Sequence, residues 1–173
     1  MCPIMCPIGH RVQFYRDERF LIDTIASFIK VGLHLNETVL VIVTAQHRKM
    51  LQTTLTGDQL RNDKLRFFDV RDILALLMVE DWPNELQFMR GMETIFGLAG
   101  ETGQVRVFGE AVNVLCGEGK AAAALRLEEL WNNFALTHQC SVLCAYSLSA
   151  LYEKAGPEIL IRVCQHHGSV QLQ

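Results

Sequence analysis

The sequence predicts an α/β fold: a mainly parallel sheet of about five strands with helices on both faces, a three-layer sandwich. Three observations carry this. Apolar runs of strand length alternate with segments of helical periodicity along most of the 173 residues. The run Val39-Leu40-Val41-Ile42-Val43-Thr44 is continuously apolar or β-branched, as a central parallel strand covered on both faces must be. The stretch from Val105 to Tyr146 reads as a βαβ unit, strand Val105–Phe108 and strand Ser141–Tyr146 joined by a long helical crossover.

In chain order, residues 1–9 form a leader with Cys-Pro-Ile twice, and His10 to Tyr15 alternates as a first strand. Asp17 is placed to cap the next helix, whose apolar positions Phe20, Leu21, Ile25, Phe28 and Ile29 share one face, and Gly32 is placed to end it. After the Val39 strand, a helix from about His47 to Leu55 is broken by Gly57. A strand at Leu65–Phe68, a short helix around Ile73–Met78 and a long helix started by Pro83, running through Leu86, Met89, Phe96 and Ala99, follow. The crossover then passes through the glycine-punctuated loop Cys116-Gly117-Glu118-Gly119-Lys120 into a helix carrying Leu127, Glu128, Trp131 and Phe134. A weaker helix around Glu158–Cys164 and a polar tail at residues 170–173 close the chain, leaving a single domain over residues 10–169.

Composition narrows function. A formal charge of −3 with scattered Lys and Arg gives no basic footprint, so direct nucleic-acid contact is not expected. Apolar runs are too short to span a bilayer, and the N-terminus has no signal-peptide pattern, so no membrane association is expected. The six cysteines mostly sit inside apolar strand or helix patterns, which fits a reducing cytoplasm better than a disulfide framework.

In a parallel sheet, ligands sit outside the carboxyl ends of the strands. Glu110 and Tyr146 each end a strand and are expected to flank one crevice there, with Trp131 and Phe134 as possible walls or plain core. Glu110 is either a ligand-contacting carboxylate or a capping residue, and Tyr15 and Tyr146 are either contacts or the edge of the core. A Walker A loop is absent: Val114 stands where its first Gly belongs and Ala121 where its hydroxyl belongs, and the turn after the first strand has no glycine. Gly117, Gly119 and Lys120 remain a candidate anion-binding turn. Cys164-Gln165-His166-His167, with His10 and Cys6, clusters metal-type side chains, but without a paired C-x-x-C no metal or other cofactor is expected. No Ser-His-Asp or Cys-His arrangement stands out, and the chain is read as non-enzymatic.

Several pieces in order, His10-x-x-x-Phe14-Tyr15, Gly32-Leu33…Glu37-x-Val39-Leu40-Val41, Val105 to Glu110, Leu127-Glu128-x-x-Trp131-Asn132, Leu143 to Tyr146 and Cys164-x-x-His167, resemble the MEDS domain family, the methanogen/methylotroph DcmR sensory domain. The resemblance implies a RecA/KaiC-like core without its Walker A loop. It also implies a sensory role for small, largely apolar ligands such as C1 or other hydrocarbon derivatives, relayed to a histidine kinase or transcription-regulator partner. The matching residues are His10, Phe14, Tyr15, Gly109, Glu110, Glu128, Trp131, Asn132, Cys144, Tyr146 and His167; of these, His10, Phe14, Tyr15, Glu110, Trp131, Cys144, Tyr146 and His167 are taken as ligand-binding candidates. Cys116 and Ser147 depart from the family, standing where tryptophan and proline are expected, so ligand identity does not transfer. A degenerate nucleotide-binding domain and a ligand-free interaction scaffold are the alternatives, and a homodimer fits the base rate for soluble proteins.

Overall fold

The computed structural model describes residues 8–97, 103–165, 167 and 169–172. Residues 1–7 of the leader, with Cys2 and Cys6, and also Ala99 and His166 lie outside the described residues. In chain order the elements are β1 (Gly9–Tyr15), α1 (Glu18–His34), β2 (Thr38–Val43), α2 (Ala45–Thr54), α3 (Gly57–Leu60), β3 (Leu65–Asp69) and α4 (Val70–Leu77). A two-residue hairpin, β4 (Met78–Val79) and β5 (Trp82–Pro83), leads into α5 (Glu85–Gly97). Then come β6 (Val105–Gly109), α6 (Ala111–Gly117), α7 (Ala121–Thr137), β7 (Ser141–Ser147), α8 (Leu148–Ala150), a π-helical turn (Leu151–Ala155), α9 (Pro157–Gln165) and β8 (Ser169–Leu172).

The main sheet has six strands in the order β3-β2-β6-β7-β1-β8, and every pairing is parallel. Because side chains alternate across a strand, the sheet sorts its residues into two cores. On one face Val12, Phe14, Leu40, Ile42, Val107, Val142 and Tyr146 pack under α4, α5, α6, α7 and α9. On the other Val39, Val41, Val43, Phe108, Leu143 and Ala145 pack under α1 and α2. The three-layer expectation therefore holds.

Several local expectations are corrected. Gly32 does not end α1, which runs on to His34; Asn36, at φ 60°, makes the turn instead. Gly32 is an interior helix residue needed for close approach, since a Cβ there would lie 2.6 Å from both Arg106 Cδ and Val39 Cγ2. Pro83 does not start α5 but sits in the β4–β5 hairpin, and the Asn84 side chain accepts from Gln87 N at 3.0 Å as the helix cap. The crossover holds a helix not expected from the sequence, α6, which takes in Cys116 and Gly117 of the expected loop. The polar C-terminal stretch is no loose tail: β8 pairs with β1, Val12 opposite Val170, as the sheet's sixth strand. Asp17 does cap α1, its carboxylate accepting from the amides of Arg19 and Phe20.

Candidate functional site

Connections diverge to opposite faces at β2–β3, β2–β6 and β1–β7, and of these the β2–β6 pair has a buried carboxylate at its carboxyl end. The helix after β2, α2, packs on one face, and those after β6, α6 and α7, pack on the other. Neighbouring strands β2 and β6 thus send their connections to opposite faces, and such a switch point opens a crevice beyond the carboxyl ends. Glu110 and Thr44 stand there, just past β6 and β2.

The Glu110 carboxylate is buried, accepting the Thr44 amide on Oε1 and meeting His47 Nδ1 at 2.6 Å on Oε2. His47 lies in the first turn of α2, whose cap is the Thr44 hydroxyl, accepting from His47 N at 3.2 Å. Its other nitrogen, Nε2, lies 3.8 Å from Glu18 Oε1. Burial opposes a charge on this imidazole, but the Glu110 hydrogen bond and the Glu110 and Glu18 carboxylates outweigh it and hold its pKa above the ordinary value. Outside the pair lies an open cavity of about 390 Å³ lined by Tyr15, Thr44, His47, Asn113, Ser147 and Ser149 among others. Asn113 spans its floor, donating to Tyr15 Oη at 3.2 Å and accepting from Ser147 N at 2.8 Å. Burial first, and then the Glu110 and Glu18 charges, push the Tyr15 phenol well up, so it stays a neutral hydroxyl.

Tyr146 is not in this crevice. Its side chain leaves the opposite face of the sheet, where its hydroxyl donates to Glu128 Oε1 at 2.7 Å inside the α7 core. The expectation that Glu110 and Tyr146 flank one crevice fails for a simple reason: the strand pairing puts Glu110 in phase with Phe108 and Tyr146 in phase with Cys144, and those residues face opposite layers. Around Glu128 a second polar cluster forms: Glu128 Oε2 lies 3.0 Å from His10 Nε2 and 3.2 Å from His167 Nε2, with Cys144 Sγ 3.2 Å from His10 Nε2. All of it is buried.

The remaining candidates fall elsewhere. Phe14 is core, stacked on Tyr146 with ring centroids 5.9 Å apart, and Trp131 packs edge-on against Phe88 at 5.1 Å, away from the crevice lining. Lys120, beside Gly117 and Gly119, is held by two carboxylates, Asp81 at 2.7 Å and Glu118 at 3.2 Å, which leaves its turn without a net positive charge for an anion. At the β1–α1 turn, where a Walker A loop would wrap phosphate, the Asp17 carboxylate already occupies the helix's first amides. A further cavity of about 430 Å³ lies between α1 and the sheet, lined in part by Arg11, Asp23, Ser27 and Arg106. Arg106 is largely spent within the protein, paired with Glu37, donating to Phe28 O at 3.1 Å and stacked over the Phe28 ring.

His47, Thr44 and Asn113 were missed from sequence. The available signal was position: each lies within four residues of a strand's carboxyl end, His47 and Asn113 on the first helical turn that follows.

Comparison with known families settles the membership. The family model for MEDS, the MEthanogen/methylotroph, DcmR Sensory domain, matches residues 9–168, from the start of β1 to the edge of β8. The chain belongs to the MEDS family. This assigns it to a class of sensory domains, and the match covers the switch-point crevice and the Glu128 cluster alike. No curated protein matches the MEDS chain at a significant level. Among the described residues no helix is long and apolar enough to cross a membrane.

Proposed function

We propose that this MEDS domain is a non-enzymatic cytoplasmic sensor that takes a small hydrocarbon derivative, one bearing a hydroxyl or amine, in the crevice between β2 and β6. The observation that carries this reading is the Glu110–His47 pair at the switch point: Glu110, buried and held by the Thr44 amide, orients His47, which lines the 390 Å³ cavity. The polar lining moves the expectation from a largely apolar ligand to one with a hydrogen-bonding group, met by His47, the Tyr15 hydroxyl and Asn113. The two ring nitrogens of His47 face carboxylates rather than a hydroxyl or thiol nucleophile, which supports binding over catalysis. The free cysteines Cys116, Cys140, Cys144 and Cys164 fit a reducing compartment.

The relay runs through the far wall. Ser147, Ser149 and Ala150 line the cavity and lead directly into the π-helical turn, which Gly156 ends at φ 83°. A ligand that prefers one arrangement of this turn shifts the position of α9 and the exposed Tyr152 and Ile161, a surface for a histidine kinase or transcription-regulator partner.

Thermal unfolding with methanol and methylamine as probes, and dichloromethane as the comparison without a hydroxyl or amine, tests the site. A compound at about a hundred times its dissociation constant adds about 2.7 kcal/mol to the stability of the wild-type protein. The same compound should add little to His47→Gln. Equal protection of both proteins would remove His47 from the site.

A further inference from the structure

The cluster around Glu128 is built like a metal centre. Its three inward atoms, His10 Nε2, His167 Nε2 and Glu128 Oε2, form a nearly equilateral triangle with sides of 3.0, 3.2 and 3.2 Å. Ligands of a tetrahedral ion held at about 2.0–2.1 Å are about 3.3 Å apart, so an ion about 1 Å out of this plane would reach all three.

The outer contacts fix the ligands as a metal site requires. His167 Nδ1 lies 2.6 Å from the carbonyl of Val163, so Nδ1 carries a proton and Nε2 is the nitrogen turned inward, the one that an ion would take. Tyr146 donates to Glu128 Oε1 at 2.7 Å and leaves Oε2 as the inward oxygen. Oε2 is fully buried and, despite the two nearby imidazoles, accepts no hydrogen bond of proper direction. His10 Nε2 lies 3.2 Å from His167 Nε2, 3.0 Å from Glu128 Oε2 and 3.2 Å from Cys144 Sγ, and a single N–H serves only one of them. An ion above the triangle would meet all three ligand atoms at once, which one proton cannot do.

We propose that His10, Glu128 and His167 bind a divalent first-row transition ion, Zn²⁺ being the best fit to two imidazoles and a carboxylate, with the three side chains supplying three of its four positions. The ligands come from the start of β1, the middle of α7 and the link between α9 and β8. The ion therefore pins the C-terminal segment to the core, a role separate from the switch-point crevice.

Cobalt substitution tests this on the whole chain. The wild-type protein, stripped with chelator and titrated with Co²⁺, should take up a single ion per chain with the visible absorption of tetrahedral cobalt, and Zn²⁺ should displace it. His167→Ala should lose the spectrum while keeping the wild-type circular dichroism. Cys144→Ser should keep the spectrum, because Cys144 Sγ borders His10 without belonging to the triangle of ligand atoms. A folded wild-type protein that binds neither ion, or a His167→Ala variant that binds both as well as wild type, overturns the proposal.

Discussion

Replacing Glu110 by Gln probes the switch-point pair at its base. The carboxylate is 1 % exposed and makes two contacts, to the Thr44 amide and to His47 Nδ1 at 2.6 Å. Gln keeps an oxygen for the Thr44 amide and presents an NH₂ to His47, which can accept it on Nδ1 as a neutral ring. The change thus exchanges a charge-assisted hydrogen bond, about 1.5–3 kcal/mol, for a neutral one of about 1 kcal/mol, a loss of about 1–2 kcal/mol. A domain with the usual stability of about 5–15 kcal/mol stays folded. The pH dependence carries the sign. Because the His47 pKa is raised on folding, its contribution is fully present below the unfolded value of 6.5 and is lost as pH rises through the folded value. Urea unfolding at about pH 6 and about pH 8.5 should therefore show the gap between wild type and Glu110→Gln shrinking toward the higher pH. Taking the difference between the two proteins cancels the raised pKa of His167, which both share. A gap that is absent, or that does not change with pH, refutes the account of this pair.

Two other substitutions test the packing that holds the site. Trp131→Ala removes a buried indole with edge contacts to Phe88 and Phe134 and should cost about 3–5 kcal/mol in urea unfolding; a loss below about 1 kcal/mol would mean the side chain is not in the core. Gly32→Ala gains up to about 1 kcal/mol of helix propensity but forces a Cβ to within 2.6 Å of Arg106 and Val39, so overpacking of about 1–3 kcal/mol should leave the protein less stable. A more stable variant would show that α1 lies farther from β6 than described.

The parts of the fold legible in the sequence were those with a redundant signal. Val39 to Val43 is apolar at every position because both faces of β2 are covered, and Asp17 sits three residues ahead of the apolar helical stripe that starts at Phe20. β8 was not legible: Ser-Val-Gln-Leu is short and half polar, as an edge strand can be, and its pairing partner lies more than 150 residues away. Gly32 reads as a stop only until Arg106 is seen against it, a contact that no local pattern encodes. Pro83 is equally compatible with a helix start and a hairpin strand, and the left-handed residues Glu80 and Asp81, at φ 49° and 65°, decide for the hairpin. The site was half legible. Glu110 stood out as a carboxylate at a strand end, but its pairing with His47 depends on β2 lying beside β6, which is topology rather than pattern. His10, Glu128 and His167 were each visible as family-matching residues. Their convergence needed the sheet to bring β1 under α7 and the C-terminal turn over both.

The measurement that bears most directly on the proposed sensor site is the backbone amide chemical-shift map of the ¹⁵N-labelled protein, recorded with and without the small-molecule probe that best raises its unfolding temperature. The account predicts saturable shifts concentrated at Thr44, His47, Asn113 and Ser147 and extending into the π-helical turn. Shifts centred instead on Asp23 and Ser27, in the cavity under α1, or no movement of the switch-point amides at saturating probe, would contradict it.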